Sequence, residues 1–278
     1  MSDVLSKKAI TESHQRQASG LFRSLWLWVG ILLVTFFYGS ISLIPSIFHR
    51  PDGVHRWAIR WGRALARFSG TNIYVRHLER LHQSGTIILL SNHQSLFDIP
   101  TLYAFLDIPF RWMAKASLFK IPIVGWAMKG ADYISVERGD SKQALKSLFD
   151  AADQIHSGKS VIIFPEGTRA GATGQMGPFK KGGFLLAKKA SVTIQPVALW
   201  GNHHVVPRIK GTWVQRICPG DVFVEVLDPI QPEQFANMKA EELSKHLYDI
   251  MEAAVERLKA WEAKTIAGDV DFSAERRP

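Results

Sequence analysis

Short apolar runs separated by amphipathic stretches dominate the chain beyond about residue 72. TIILL (86–90), ADYISV (131–136), SVIIFP (160–165), VTIQPVAL (192–199) and VFVEVL (222–227) have strand length, and several are apolar on both faces. Between them, KQALKSLFDAADQIHSG (142–158) repeats its apolar positions with a helical period and ends in a glycine. PFKKGGFLLAKKA (178–190) predicts a shorter helix, and the tail from Pro232 to about Lys264 predicts one long amphipathic helix that closes the core. Strands alternating with helices imply an α/β fold, a mostly parallel or mixed sheet flanked by helices.

The N-terminal pattern is different. From Ser24 to Phe48 no Asp, Glu, Lys or Arg occurs. At about 1.5 Å per residue this run is long enough to reach across a hydrocarbon core of about 30 Å. The polar lead before it is too long for a signal peptide, and no small-residue cleavage site follows. Lys7, Lys8, Arg16 and Arg23 nearly balance the arginines beyond the run, so charge does not orient it, and Pro45 leaves open whether it spans or dips and bends. In HRWAIRWGRALARF (55–68), Arg56, Arg60, Arg63 and Arg67 fall on one helical stripe beside an apolar arc of Trp57, Trp61, Ala64, Leu65 and Phe68. Such a helix is expected to lie in a membrane interface, arginines at the phosphates and indoles at the acyl boundary. The chain thus divides into membrane-associating helices (1–71) and an α/β domain with a C-terminal helix (72–278).

Composition narrows the partners. With 278 residues and a formal charge of +9, the chain favours an anionic partner: nucleic acid, a membrane surface or a phosphorylated substrate. The basic residues are spread along the chain and are not concentrated in one block with interleaved aromatics, which weakens the nucleic-acid reading. The one cysteine, Cys218, can form no internal disulfide, so nothing points to an oxidising compartment.

Chemistry gathers in two loops. SNHQSLFDIP (91–100) follows the run TIILL and sets His93 and Asp98 five positions apart. Positions five apart lie about 140° out of register on a helix and on opposite faces of a strand, so the two side chains meet only across a loop. A turn through Gln94 to Phe97, with Pro100 starting the next helix, would bring the carboxylate back to the ring. An aspartate on one imidazole nitrogen fixes the tautomer and leaves the other as a general base for a hydroxyl. The second loop is EGTR (166–169), followed by KKGG at a helix start. Gly167 frees the backbone to approach a ligand, Arg169 offers a planar fork for phosphate, and Lys180 or Lys181 adds charge near helix amides. No second histidine or cysteine lies at metal-ligand spacing, and the adjacent His203 and His204 suit surface or supporting roles.

NHQSLFD (92–98), FPEGTR (164–169) with the FKKGG that follows, and IQPVAL (194–199) resemble, in order and spacing, the sequence blocks of the glycerolipid acyltransferases, nearest to the bacterial 1-acylglycerol-3-phosphate (lysophosphatidate) acyltransferases. AKASLFKIPIVGW (114–126) is also typical of them. The resemblance implies that His93 deprotonates the free hydroxyl of a lysophosphatidate, with Asp98 orienting it, and that the oxygen attacks the thioester of acyl-CoA or acyl carrier protein. No metal, acyl-enzyme or cofactor beyond that thioester co-substrate is implied. Asn92, Glu166, Gly167, Thr168 and Arg169 are expected to line the acceptor site, Arg169 with Lys180 or Lys181 on its phosphate, Pro196 shaping it, and a backbone amide near Gly167 as oxyanion donor. One block departs from the pattern: GADYISVER puts Ser135 where an aromatic is expected and Gly130 two positions early. Arg138 survives and is carried over as a phosphate contact. The resemblance also implies work at the cytoplasmic face of the inner membrane against anionic lipids. Two other readings are an acyltransferase of the same fold acting on another acceptor, such as glycerol-3-phosphate, and a non-catalytic lipid-binding module.

Overall fold

A computed structural model describes residues 21–82, 84–137, 141–207, 216–268 and 275–277. Lys7, Lys8, Arg16 and Arg138 lie outside the described residues.

Among the described residues eight strands form one mixed sheet: β1 (Asn72–Arg76), β2 (Ile87–Ser91), β3 (Phe110–Lys115), β4 (Ile134–Val136), β5 (Ser160–Ile163), β6 (Thr193–Trp200), β7 (Asp221–Val226) and β8 (Glu275–Arg277), in the order β4-β3-β5-β2-β6-β7-β1-β8. The run β4-β3-β5-β2-β6 is parallel, β7 is antiparallel to β6, and β1 is parallel to β7. Every residue of β2, β5 and β6 is buried, because helices cover both faces. Alternate residues enter different cores. Ile88, Leu90, Val161 and Ile163 face one side, and Ile87, Leu89, Ile162 and Val197 the other.

The first core is covered by α5 (Ser141–His156), α6 (Gly182–Ala190) and α9 (Ala240–Ile266). On the second side lie α2 (Pro51–Ser69) and α3 (Asp98–Phe105). Helix α1 (Leu21–Ile47) folds back on α2 and also meets α4 (Val124–Gly130). The hairpin packs closely where glycine allows it: a Cβ on Gly30 would fall 2.0 Å from the Phe68 ring, and one on Gly62 would fall 2.4 Å from Tyr103 Cβ. The outer face of α1 exposes Leu25, Trp26, Leu32, Leu33, Phe36 and Phe37. Among the described residues Leu25–Ile47 is the one segment long and apolar enough to cross a membrane.

Three expectations change. The apolar arc of α2 turns largely inward, Phe68 alone of it staying exposed: Leu65 is buried, Trp61 donates to Thr35 Oγ1 of α1 at 3.0 Å, and Arg63 pairs with Asp107 beyond α3. Arg56, Arg60 and Arg67 stay exposed. The helix expected from 178 begins at Gly182, because Lys180 N–H is taken by Pro165 O at 2.8 Å. The single tail helix is two, α8 (Pro232–Phe235) and α9, the short α7 (Asn202–Val205) preceding both. Lys188 Nζ donates to the carbonyls of Phe235, Ala236 and Met238, holding the chain in a bend where a longer helix would have used those acceptors itself.

Candidate active site

β2 and β5 are adjacent and parallel, with Leu90 opposite Ile163, so the loops that follow them leave the same edge of the sheet side by side. This is where an open α/β sheet places ligands. The first loop carries His93 and the second Glu166 to Arg169.

The turn after Asn92 closes on Asp98, the first residue of α3. Its Oδ2 accepts from His93 Nδ1 at 2.6 Å and from the backbone N–H groups of Gln94 and Ser95 at 2.7 and 3.0 Å. Asp98 is fully buried, whereas the His93 side chain keeps 12% of its exposure. With Nδ1–H donated to the carboxylate, the lone pair is on Nε2. The imidazole lies flat on Phe164, ring centroids 4.0 Å apart and planes at 10°. Trp112 stacks on the far side of the chain of rings, 5.7 Å from Phe164.

His93, Phe164 and Arg169 open on a cavity of about 360 Å³. Its other walls are mostly apolar and come from both parts of the chain: Tyr38, Trp57 and Trp61 of the helical hairpin, and Tyr103, Met113, Leu118 and Met128 of the domain. Lys115, at the end of β3, also lines it. Sequence reasoning passed over this cation, although its place in AKASLFKIP, just past an apolar run, could have found it. One wall is braced by hydrogen bonds: Trp112 Nε1 donates to Tyr103 OH at 2.6 Å, the Tyr103 and Tyr133 hydroxyls are hydrogen-bonded to each other at 2.6 Å, and Tyr133 OH meets His55 Nδ1 at 3.0 Å. Burial pushes the His55 pKa down to about 4, so the imidazole is neutral there.

The expected acceptor residues divide. Arg169 is half-buried in the cavity lining, and Thr168 is exposed beside it. Gly167 has φ +66°, and a Cβ there would sit 3.0 Å from Lys180 Cδ, Cε and Nζ, so the Lys180 ammonium lies over this loop. Lys181 is turned elsewhere, 2.6 Å from Glu241 on α9. Asn92 has no free group for a substrate: it is buried, accepting from Leu199 N–H at 2.8 Å and donating to Leu199 O at 2.9 Å. Glu166 is buried too, its oxygens accepting from the N–H groups of His93 at 2.8 Å and Gly177 at 2.9 Å. Burial pushes its pKa up to about 7 against these two bonds, and the Asp98 charge adds to the rise. In the stretch near Gly167 where a backbone amide is expected to serve an oxyanion, the Gly167 N–H itself is used within a turn, donating to Phe164 O at 3.1 Å. Pro196 is buried in β6 opposite Leu90, inside the sheet. Gly130 packs against α1, where a Cβ would meet Ser46 Oγ at 2.2 Å, and Ser135 is exposed on β4. Among the described residues no group of three or more His, Cys, Asp or Glu is placed to hold a metal ion.

Residues 72–200 match the family model described as Acyltransferase. The chain is 37% identical over 134 residues to the chloroplastic 1-acyl-sn-glycerol-3-phosphate acyltransferase BAT2 of Brassica napus, a match covering 48% of this chain and 38% of that protein. Like the Arabidopsis thaliana relative, covered over 43% of its length, that protein is spanned to less than half by this chain. The 1-acyl-sn-glycerol-3-phosphate acyltransferase of Escherichia coli K12 is 28% identical over 239 residues, covering 86% of this chain and 94% of that one. The crystal structure of the 1-acyl-sn-glycerophosphate (LPA) acyltransferase PlsC from Thermotoga maritima superposes with a TM-score of 0.73 at 29% identity, covering 86% of this chain and 97% of that chain. Residues 72–200, which hold both loops of the site, are thus similar to the acyltransferase family.

Proposed function

We propose that the protein transfers a fatty acyl group from an acyl thioester to the sn-2 hydroxyl of lysophosphatidate, giving phosphatidate. The observation that carries this reading is the His93–Asp98 pair at 2.6 Å opening on an apolar cavity that also holds Arg169. His93 Nε2 takes the hydroxyl proton as the oxygen attacks the thioester carbonyl, and Asp98 stabilises the imidazolium. As the tetrahedral intermediate collapses, the C–S bond breaks and His93 returns the proton to the leaving thiolate. Atoms balance without an acyl-enzyme. Arg169 with Lys115 and Lys180 would hold the acceptor phosphate, and the cavity, the acyl chain.

Acyl-CoA and acyl carrier protein are soluble donors, whereas the acceptor is a lipid. The site therefore works at a membrane boundary, with its loops on the cytoplasmic side and the exposed faces of α1 and α2 toward the anionic lipid. The test is CoA release from a long-chain acyl-CoA by the detergent-solubilised full chain, offered lysophosphatidate, glycerol-3-phosphate or neutral-headgroup lysophospholipids. Release with lysophosphatidate alone, lost in His93→Ala, is expected. Release with another acceptor keeps the chemistry and moves the specificity. Equal activity in His93→Ala removes the mechanism.

A further inference from the structure

We propose that Glu166 is a positioning residue whose carboxylate latches the glycine-rich loop 171–177 to the catalytic loop and so fixes where the His93 imidazole stands. This deepens the acyl-transfer reading and rests on His93 being its base.

The latch has four bonds. Glu166 accepts from His93 N–H and Gly177 N–H at 2.8 and 2.9 Å, Gln94 Nε2 donates to Gly174 O at 2.9 Å, and Ala170 N–H donates to His93 O at 2.7 Å. Both backbone groups of His93 are therefore held by the segment that follows β5. Gly174 is itself fixed from behind: its φ is +67°, and a Cβ would fall 2.4 Å from the His203 ring. The adjacent histidines of the sequence thus include one that backs this loop.

Two converging N–H donors need two acceptors. An ionised carboxylate supplies both, whereas a glutamine or a protonated carboxyl presents a hydrogen to one of them. A buried group that loses an acceptor leaves a backbone N–H unsatisfied, so the latch loosens when Glu166 gains a proton. The surroundings set that point near neutrality. Burial, helped by the Asp98 charge, raises the pKa to about 7 against the two backbone bonds. The other titratable groups that face it are His93, Lys180 over Gly167, His203 behind Gly174, and Tyr248 of α9, whose own pKa is raised in part by the Glu166 charge.

Steady-state kinetics and hydrogen exchange on the full chain in detergent test this together. In Glu166→Gln, kcat is expected to fall about 10- to 100-fold with KM for lysophosphatidate and acyl-CoA within about threefold, because a hydrogen bond to a charged group is lost but no substrate contact is. Below about pH 7 wild-type kcat should fall more steeply than that of Glu166→Gln, because only the wild type loses its latch as Glu166 gains a proton. A large rise in acceptor KM with kcat retained, or identical slopes, overturns the proposal. Exchange needs no turnover: peptides 91–98 and 171–178 should lose protection in Glu166→Gln while β5 keeps its own. If that variant does not fold, wild-type exchange compared at pH 8 and pH 6, corrected for intrinsic rates, reads the same loosening. Unchanged protection in the two loops refutes the latch even if no acceptor is acylated, whereas protection lost in a protein without turnover refutes the acyl-transfer reading alone.

Discussion

At the scale of single residues, the dyad is fixed by what each atom already binds. Asp98 Oδ2 holds one ring nitrogen and two backbone N–H groups, so Asp98→Asn keeps the shape but puts an amide where three donors converge. Its kcat should fall about 10²- to 10⁴-fold, the scale seen when the orienting carboxylate of a catalytic histidine is neutralised. Retained turnover in single-turnover assays would remove Asp98 from the mechanism. Phe164 acts on the flat face of the same ring. Phe164→Leu should slow kcat by about 2- to 10-fold, an aromatic pair being worth about 0.5–1.5 kcal/mol beyond its area, with Phe164→Tyr close to wild type. His55 links chemistry to stability. Its folded pKa of about 4 lies below the unfolded value near 6.5, so the unfolded chain binds the extra proton between these values. Stability from this group is complete above about pH 6.5 and is lost as pH falls toward 4. Thermal melts over that range should show the loss in wild type and a flatter curve in His55→Phe.

Elements bring these residues together through spacings that the sequence carries unevenly. β2 and β5 were legible because buried parallel strands read as unbroken apolar runs. β3 was not, because FRWMAK contains Arg111, a charge that is 2% exposed and donates to Asp52 in the first turn of α2 at 2.6 Å. A pattern rule reads that arginine as surface. The dyad could be read from H-x4-D because both ends lie within one turn. The backbone partners of Asn92 and Glu166, at Leu199 and Gly177, are distant in the chain and leave no pattern in the sequence, so this use of the two side chains could not be read there. The break between α8 and α9 was hidden for the same reason, its cap being Lys188 on α6. Lys188→Met should leave those carbonyls without a donor and cost about 1–3 kcal/mol in denaturant unfolding. An unchanged midpoint would show that water replaces the ammonium.

On the scale of the whole molecule, the face proposed to meet lipid joins the apolar side of α1 to the exposed arginines of α2. The arginines of α2 do not act as a set of four: Arg63 is committed to Asp107, which leaves Arg56, Arg60 and Arg67 exposed beside the apolar face of α1. Replacing these three with glutamine should weaken binding to anionic vesicles about 100-fold at moderate salt, at about 1 kcal/mol per cation near the surface. Sedimentation that does not change would assign binding to the apolar face alone.

The cavity wall contributed by Tyr38, Trp57 and Trp61 has a practical consequence. A protein trimmed to begin near residue 72, the usual route to a water-soluble enzyme, keeps His93, Asp98 and Arg169 but loses one side of the chamber they open on. Such a fragment bares Tyr103, which α2 covers through Gly62, and would self-associate before it could be assayed. Solubility has to be engineered on the outer positions of α1, at Leu25, Leu32, Leu33 and Phe36, with the hairpin left in place.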